Sequence, residues 1–371
     1  MKTALIHDHL AQDGGAEKVL EVFSEMFPSA PIYTLLYDKE NVDNRYPNRR
    51  VDASIIQKLP GGVKFYQFYL PLMPMAVEFF DLRDYDVVIS DTSSFAKGVI
   101  TLPNTVHICY CHTPTRYLWS DTHQYISELP YNKFLKKIAS RILSRIRIWD
   151  RLAADRVDYF IANSKTVQGR IQKYYRRDSE LIYPPVEVDK FFISDKVEDY
   201  FLIGCRLAPY KRVDLVVETF KKLGSDYKLK IFGDGVDLKR LKKIAKNSPN
   251  IEFLGRINDE LKAELFSKCL AFIHPQEEDF GISKVEAMAS GRPVIAYRKG
   301  GALETVIEGK TGVFFDEQKV DSLLPVIEDF YKKIKNKSKE WNSKEIREHS
   351  KSFSLDKFKE KISEFIKKVS K

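Results

Sequence analysis

The chain has 371 residues, 43% of them hydrophobic and 30% charged, with a formal net charge of +9. This composition excludes a disordered chain, the apolar runs are far shorter than the roughly 20 residues of a membrane-spanning helix, and the length predicts two domains. Because the excess of basic residues is confined to two segments, Tyr131–Arg151 and Lys332–Lys371, the sequence also argues against a nucleic-acid-binding protein, whose binding face is usually basic throughout.

The N-terminal half alternates predicted strands with helices. Apolar runs predict five strands, which begin at Thr3, Ile32, Asp86, Val106 and Tyr159. Continuous apolar runs of this kind are typical of strands that are buried on both faces, so we predict a parallel α/β sheet. The N-terminal segment lacks the apolar stretch and cleavage site of a secretory signal, so we expect the protein to remain in the cytoplasm.

The first predicted strand ends in His7-Asp8-His9, and a segment that contains Gly14 and Gly15 links it to a helix. The histidine spacing resembles that of a metal site, but we interpret these residues as polar packing at a strand end. Adjacent glycines allow a ligand to approach the backbone without obstruction by side chains. This segment is therefore a candidate binding loop.

Two further polar features lie at strand boundaries. His112 follows the strand that begins at Val106, where it is either an active-site residue or a capped residue of the core. Asp84 and Asp86 form a D-x-D pattern, which binds metal ions in some enzymes, but they immediately precede a buried strand, where a turn is expected. We therefore predict no metal site.

A helix is predicted from Tyr131 to Arg151. One of its stripes consists of Phe134, Ile138, Ile142, Ile146 and Trp149, and the next consists of Lys133, Lys137, Arg141 and Arg145. A basic amphipathic helix suits an anionic membrane surface, but the same pattern fits a helix that packs on its own domain with a solvated basic edge. Both interpretations remain open, and the aromatic segment Phe65–Pro74 is a candidate for a lipid-facing or substrate-binding surface.

The prolines of Leu181–Asp189 disfavour a continuing helix, and an acidic stretch follows them, so we place the domain boundary near Phe191 to Tyr200. This division gives an N-terminal domain at residues 1–190, a second domain at 200–340 and a basic helical tail at 341–371. Five further strands are predicted to begin at Phe201, Leu229, Ile251, Ala271 and Pro293. They indicate a second Rossmann-like unit, and sheets of this class bind ligands beyond the carboxyl ends of their strands.

Arg206 and Lys211 follow the first strand of the second half, in the segment that leads into a helix. Cations at such a position can neutralise a phosphate group. The alternative interpretation is two solvated surface charges.

The segment from Gln276 to Ala296 is the most informative part of the chain. A tight loop with Glu278 and Gly281 precedes a helix that begins near Ile282, and the free N–H groups of such a first turn form an anion site. Glu278 lies ahead of the helix and Glu286 lies one turn inside it, so the two carboxylates can bind different hydroxyls of one extended ligand. An isolated pair would more often only complement the helix dipole.

This segment resembles the E-x7-E motif of glycosyltransferase family 4, whose members are retaining enzymes with the GT-B fold. Glu278 and Glu286 match the two acidic positions, with a Phe-Gly pair between them and Ala-Met-Ala-Ser-Gly-Arg-Pro after the second. Arg206 and Lys211 resemble the R-x4-K element of the same family. The resemblance covers nearly the whole chain and implies two Rossmann-like domains that face each other across a cleft.

The resemblance also implies roles for individual residues. Glu278 would contact hydroxyls of the donor sugar, Glu286 the ribose, and Arg206 and Lys211 the donor diphosphate, while His112 would face the sugar. The implied catalytic residues are His112, Arg206, Lys211 and Glu278. The implied donor-binding residues are Gly15, Gly255, Ile257, Asp279, Phe280, Gly281, Ile282, Ser283 and Glu286. No metal and no separate cofactor are implied, because the nucleotide sugar is a substrate.

Within this family, Glu278–Ile282 and Lys299–Val306 resemble segments of bacterial mannosyltransferases that build O-antigen and capsule. This likeness implies transfer of mannose from GDP-mannose to a glycan or a polyprenyl-diphosphate-linked acceptor, at the inner face of the cytoplasmic membrane. A UDP-sugar donor is an alternative, and so is a sugar-nucleotide epimerase, which also uses Rossmann-like domains. His274 and Lys284 depart from the usual residues of the family and leave the details of donor and acceptor open.

Overall fold

The computed structural model describes residues 1–11, 14–42, 45–46, 49–336 and 341–370. The chain forms two compact units, one of Met1–Tyr183 together with the segment that begins at Phe358, and one of Pro184–Lys357. The sequence-based boundary lay a few residues later. Residues 341–371 were predicted as a separate tail, of which Lys371 lies outside the described residues, and the structure divides this segment between the two units.

The first unit is built on a parallel sheet of seven strands in the order β3-β2-β1-β4-β5-β6-β7. The strands are β1 (Thr3–His7), β2 (Ile32–Thr34), β3 (Val51–Ala53), β4 (Val87–Thr92), β5 (Val106–Cys111), β6 (Tyr159–Ala162) and β7 (Ser179–Leu181). Nearly every residue of the central strands β1, β4 and β5 is buried, which explains their continuous apolar sequences.

Helices of the first unit cover this sheet. They are α1 (Gly15–Met26), α2 (Lys39–Val42), α3 (Met73–Glu78), α4 (Thr122–Glu128), α5 (Lys133–Asp155) and α6 (Lys165–Tyr175). The helix predicted from Tyr131 begins at Lys133 because Asn132 caps it: Oδ1 of Asn132 accepts a hydrogen bond from the backbone N–H of Leu135.

The second unit has a parallel sheet of six strands in the order β10-β9-β8-β11-β12-β13. The strands are β8 (Phe201–Gly204), β9 (Leu229–Phe232), β10 (Ile251–Gly255), β11 (Phe272–His274), β12 (Val294–Tyr297) and β13 (Gly312–Phe315). The helices of this unit are α7 (Val213–Leu223), α8 (Leu238–Ile244), α9 (Asp259–Lys268), α10 (Ile282–Ala289), α11 (Ala302–Thr305), α12 (Val320–Lys335) and α13 (Ser343–Ser350). The last helix, α14 (Leu355–Val369), belongs to the first unit from Phe358 onward.

Three strands were not predicted from the sequence, namely β3, β7 and β13. Each lies at an edge of its sheet, and β3 and β7 are only three residues long and contain a charged residue. An edge strand pairs on one side only and is less completely covered, so it does not need the continuous apolar run that marks a central strand.

The strand order of each sheet reverses at one point, between β1 and β4 in the first unit and between β8 and β11 in the second. The chain leaves these neighbouring strands in opposite directions, which opens a crevice beyond their carboxyl ends. Open α/β sheets bind their ligands at such a point. The residues just beyond β1, β4, β8 and β11 are therefore the first candidates for function.

Candidate functional site

A carboxylate between two histidines lies at the reversal point of the first sheet. Oδ2 of Asp91, near the end of β4, is 2.9 Å from Nδ1 of His7 at the end of β1, and Oδ1 is 2.6 Å from Nε2 of His112, which follows β5. The side chains of His7 and Asp91 are 3% and 1% exposed, whereas that of His112 is 13% exposed. His112 is therefore the group of this trio that reaches the surface.

Glu17 completes this group, which we call the Asp91 cluster (His7, Glu17, Asp91 and His112). Oε1 of Glu17, a buried residue in the first turn of α1, lies 4.0 Å from Nε2 of His7. Burial opposes a charged imidazole, but the hydrogen bonds and negative charges of Asp91 and Glu17 raise the pKa of His7 to about 10. Burial also opposes ionisation of Asp91, yet its electrostatic interaction with His112 and hydrogen bonds from both histidines lower its pKa. At neutral pH, His7 is thus a cation and Asp91 an anion.

Gly14, which precedes α1, allows Glu17 to enter the cluster. Gly15 is the exposed first residue of α1, and Gly14 caps the helix. A Cβ at Gly14 would lie 2.7 Å from Oε2 of Glu17. Gly14 therefore leaves room for the buried carboxylate of Glu17.

Asp8 organises the backbone beyond β4. Its carboxylate accepts hydrogen bonds from Oγ1 of Thr92 at 2.9 Å and from the backbone N–H groups of Ser93, Phe95 and Ala96 at 2.7 to 2.8 Å. His7 lies in the Asp91 cluster and Asp8 in this loop, so both residues take part in polar packing at the end of β1.

A second buried carboxylate anchors the loop that follows His112. Asp150 of α5 is 1% exposed. It accepts hydrogen bonds from the side chains of Lys97, Thr115, Trp119 and Tyr175 at 2.5 to 2.9 Å. Because Thr115 and Trp119 belong to the segment between His112 and α4, Asp150 fixes this segment to α5.

The reversal point of the second sheet carries a comparable arrangement around Glu278. Oε1 of Glu278, in the loop after β11, accepts a hydrogen bond from Nζ of Lys211, which ends the helical turn Pro209–Lys211 after β8. Oε2 lies 3.0 Å from Nε2 of His274, the last residue of β11. The side chain of Glu278 is 21% exposed and His274 is fully buried, so here the carboxylate itself reaches the surface.

The basic neighbours keep Glu278 ionised. Burial opposes both charges of the ion pair, but each charge stabilises the other, so the pKa of Glu278 lies well below its usual value and that of Lys211 above it. Burial and the positive charge of Lys284 lower the pKa of His274 to about 4. Glu278 is therefore an anionic hydrogen-bond acceptor beside a neutral imidazole.

Lys284 adds a third basic group, and we call Lys211, His274, Glu278 and Lys284 the Glu278 cluster. Lys284 is fully buried in the first turn of α10, and its Nζ donates a hydrogen bond to the backbone carbonyl of Phe280 at 2.6 Å. A cation is unfavourable near a helix N-terminus, and burial lowers the pKa of Lys284 to about 8.

Glycines shape the loop that carries Glu278. Gly281 caps α10 in the left-handed region with φ of +82°, where a Cβ would lie 2.5 Å from Nζ of Lys284. In the loop after β12, a Cβ at Gly300 would lie 2.5 Å from the carbonyl oxygen of Glu278, and the N–H of Gly301 donates to the same oxygen. The Gly-Gly pair of the Lys299–Val306 segment therefore supports the Glu278 loop by close backbone packing.

Glu286 has a different partner. It is 4% exposed, and its Oε1 accepts a hydrogen bond from Nζ of Lys262 in α9 at 2.7 Å. The two acidic residues of the motif are thus held by separate lysines, Glu278 by Lys211 and Glu286 by Lys262.

The remaining predicted donor-site residues occupy several positions. Asp279, Phe280, Ile282 and Ser283 form the loop and first turn around Gly281. Arg206 is exposed just beyond β8, with Nη2 3.3 Å from the hydroxyl of Tyr210. Gly255 ends β10, the edge strand two places from β8, and Ile257 follows it. The structure therefore joins Lys211 directly to Glu278 and places Gly255 and Ile257 at the end of a different strand.

Within the described ranges, no group of three or more His, Cys, Asp and Glu side chains is arranged to hold a metal ion. Asp84 and Asp86 precede β4 at the amino ends of the strands, whereas His112 follows the carboxyl end of β5, and Asp86 accepts a hydrogen bond from the backbone N–H of Lys2 at 2.7 Å. No helix in the described part of the chain is long and apolar enough to span a bilayer.

Asp91 and Lys262 were not predicted as functional residues from the sequence. The available signal for Asp91 was a charged residue at the end of an otherwise apolar strand. No sequence pattern indicated Lys262, because it lies on a different helix, 24 residues before Glu286.

The fold matches that of known glycosyltransferases. The solved structure of Anabaena Alr3699/HepE in complex with UDP aligns over 100% of both chains with a TM-score of 0.73 and 18% sequence identity. At this identity the match shows the fold alone. The fold is the GT-B class of glycosyltransferases, and this prediction is confirmed.

Sequence comparisons lead to the family. Alpha-1,3/1,6-mannosyltransferase ALG2 of Dictyostelium discoideum is 26% identical over 89% of this chain and 88% of its own length. The O-antigen chain mannosyltransferase RfbU of Salmonella typhimurium is 28% identical over 54% of this chain and 58% of its own length. Residues 14–190 match the family described as "Glycosyltransferase Family 4", and residues 187–347 match "Glycosyl transferases group 1". The chain belongs to glycosyltransferase family 4, as its Glu278–Glu286 motif indicated.

Proposed function

We propose that the protein is a retaining, metal-independent mannosyltransferase that uses GDP-mannose and acts on a lipid-linked or polysaccharide acceptor in cell-surface glycan synthesis, at the cytoplasmic face of the membrane. The observation that carries the choice of mannose is that both relatives above, ALG2 and RfbU, are named mannosyltransferases. The O-antigen chain in the name of RfbU supports the choice of acceptor.

In this proposal, the Glu278 cluster binds the donor. The anionic carboxylate of Glu278 accepts hydrogen bonds from sugar hydroxyls, and Glu286 accepts them from the ribose. The first turn of α10 offers backbone N–H groups to the diphosphate. Lys211 and Arg206 then neutralise the charge that grows on the diphosphate as the sugar departs. By its resemblance to the family, His112 is proposed to contact the sugar.

Retention requires the new bond to form on the same face of the sugar as the bond that breaks. Both carboxylate oxygens of Glu278 already have partners, Oε1 with Lys211 and Oε2 with His274. This arrangement suits a hydrogen-bond acceptor better than a covalent nucleophile. We therefore propose a front-face reaction. The bond between the anomeric carbon and the diphosphate oxygen breaks, the acceptor oxygen bonds to that carbon, and the departing phosphate takes the acceptor proton.

A UDP-sugar donor is the second candidate, because the matched HepE structure contains UDP. Melting temperatures with GDP-mannose, GDP, UDP-glucose and UDP distinguish the two, since a ligand that binds the folded state raises the melting temperature. We expect the guanine nucleotides to give the larger shift. A larger shift with the uridine nucleotides would contradict the GDP-mannose assignment.

Transfer itself is tested with radiolabelled donor and a lipid-linked oligosaccharide acceptor in excess EDTA. We expect transfer to persist and the product anomer, read by NMR, to match that of the donor. Loss of activity that magnesium or manganese restores would contradict metal independence, and an inverted anomer would contradict retention. An epimerase would instead alter the sugar of the donor without any acceptor.

A further inference from the structure

The first unit exposes an apolar surface that the proposed chemistry does not use. The segments Phe65–Phe79 and Tyr131–Leu152 contribute eleven of the 23 large apolar side chains that are exposed in the described part of the chain. Phe68, Phe79 and Phe134 are 68%, 72% and 71% exposed. Apolar exposure concentrated in two segments of one unit is typical of an interaction surface.

The structure shows which part of the predicted apolar stripe of α5 packs on its own domain and which part is exposed. Ile146 is buried, and Ile142 and Trp149 pack partly against the core, so the second half of the predicted apolar stripe belongs to the domain. Phe134 and Ile138, in the first half of the same stripe, are exposed.

A different stripe is exposed along the whole helix, at spacings of three and four residues. It consists of Phe134, Ile138, Arg141, Arg145, Ile148 and Leu152, which we call the α5 face. It extends over about 27 Å at the rise of an α-helix.

The α5 face combines apolar side chains with positive charge. Lys133 and Lys137 flank its first half, and residues 133–149 include no acidic residue. Asp150 and Asp155 follow, but Asp150 is buried against Lys97 and Asp155 pairs with Arg151. The exposed charge on this side of the helix is therefore positive.

The second apolar segment ends beside α5. Oε1 of Glu78, at the end of α3, accepts hydrogen bonds from Nε1 of Trp149 and Nη1 of Arg156. Phe79 follows Glu78 directly, and Ile148 precedes Trp149. These contacts bring the end of the aromatic segment alongside the second half of α5.

We propose that the α5 face, together with the exposed aromatic residues of Phe65–Phe79, binds the surface of a membrane that contains anionic phospholipid. The basic side chains attract the lipid headgroups, and the phenylalanine and aliphatic side chains enter the boundary between headgroups and acyl chains. A second copy of this chain is a poorer partner because two such faces repel each other. A nucleic acid would leave the aliphatic side chains of the face without an apolar partner.

The test is co-sedimentation of the full chain with phosphatidylcholine vesicles that do or do not contain phosphatidylglycerol. We expect binding only with the anionic lipid and a loss of binding as salt rises. Reversal of charge in Arg141→Glu/Arg145→Glu should lower the vesicle partition coefficient by at least about tenfold, since each basic residue near such a surface adds about a fivefold effect. Phe68→Gln/Phe134→Gln should weaken the binding that persists at high salt.

Lys367→Glu/Lys368→Glu is the matched control, because both lysines are exposed on α14 of the same unit and the change in net charge is identical. We expect it to bind vesicles almost as well as the wild type. Equal loss in the two charge variants would overturn the proposal in favour of general attraction. The proposal would also be overturned if the wild type did not bind vesicles. The same holds if the wild type formed a dimer in the absence of vesicles and Arg141→Glu/Arg145→Glu, but not the control variant, were monomeric.

This proposal deepens the lipid-linked acceptor of the proposed function, but the vesicle experiment uses neither donor nor acceptor. A failure to bind vesicles would not contradict the proposed sugar transfer. A failure to bind GDP-mannose would likewise not contradict membrane binding by the α5 face.

Discussion

The Asp91 cluster and the Glu278 cluster contain similar groups but expose different ones. Each places a carboxylate with a basic partner on each side at the reversal point of a parallel sheet. In the first unit the carboxylate is buried and a histidine, His112, reaches the surface. In the second unit the histidine, His274, is buried and the carboxylate reaches the surface.

The difference lies in the charge that each cluster buries. The Asp91 cluster buries a cation, His7, whose pKa is about 10 because two carboxylates contact it. The Glu278 cluster buries a neutral imidazole, His274, with a pKa of about 4, and a lysine whose pKa falls to about 8. The surroundings of a buried basic group therefore set the direction of its pKa shift: two carboxylates outweigh burial at His7, whereas burial and neighbouring positive charge outweigh Glu278 at His274 and Lys284. The contributions of His7 and Lys284 to the free energy of unfolding should therefore change with pH in opposite directions.

The largest expected effect is in the Asp91 cluster. His7→Gln removes the cation between Asp91 and Glu17, and we expect the free energy of unfolding at pH 6 to fall by about 3–5 kcal/mol, as when one partner of a buried pair is lost. Because the folded-state pKa of about 10 exceeds the usual 6.5, this stabilisation is complete below about pH 6.5 and disappears as the pH rises to about 10. Urea unfolding at pH 6, 8 and 10 measures it.

The control for this experiment is His123→Gln, which changes an exposed histidine of the same unit. It should leave the free energy of unfolding within about 0.5 kcal/mol of the wild type at each pH. If His7→Gln lost stability equally at pH 6 and pH 10, a charged His7 would not be the cause.

The next effect concerns catalysis by the Glu278 cluster, and it depends on the proposed function. Lys211→Ala and Arg206→Ala should each lower kcat by about 10² or more, as does the loss of one group that stabilises charge in a transition state. Donor affinity should fall less, because the charge on the diphosphate grows during the reaction. Lys211→Arg should restore activity only in part. Steady-state kinetics with saturating donor measure all three.

Lys222→Ala removes an exposed lysine from α7 and should keep the wild-type kcat. Wild-type turnover by both Lys211→Ala and Arg206→Ala would show instead that neither cation assists the departure of the diphosphate.

The smallest effect tests the buried lysine. The pKa of Lys284 is lowered to about 8 from 10.5, so the unfolded chain binds more protons between these values and the stability of the second unit rises with pH in that window. Lys284→Met should remove this rise. At pH 7 it should change the free energy of unfolding by no more than about 1 kcal/mol, because the lost hydrogen bond to Phe280 is offset by the absence of a buried charge.

Calorimetric melting at pH 7.5, 9 and 10 measures this effect, with Lys310→Met as the control for an exposed lysine of the same unit. If the melting temperature of Lys284→Met still rose between pH 8 and 10, a group other than Lys284 would be responsible for the titration.

The amino-acid sequence by itself determined the two parallel sheets and the loop that carries Glu278. A central parallel strand is buried on both faces and must be continuously apolar, so β1, β4 and β5 are visible in the sequence. The Glu278–Glu286 motif is also visible, because its loop and first helical turn are contiguous in the chain.

Only the tertiary structure decided which charged groups meet. His7 and Asp91 are 84 residues apart and come together because β1 and β4 are neighbours, which strand sequences alone do not specify. The same holds for Lys262 and Glu286, which lie on different helices. Helical periodicity identified two stripes on α5 but could not show which one the core would cover, since a period records that a face is apolar and not what packs against it. The exposed α5 face therefore became visible only once Ile146 was seen to be buried and Ile148 exposed.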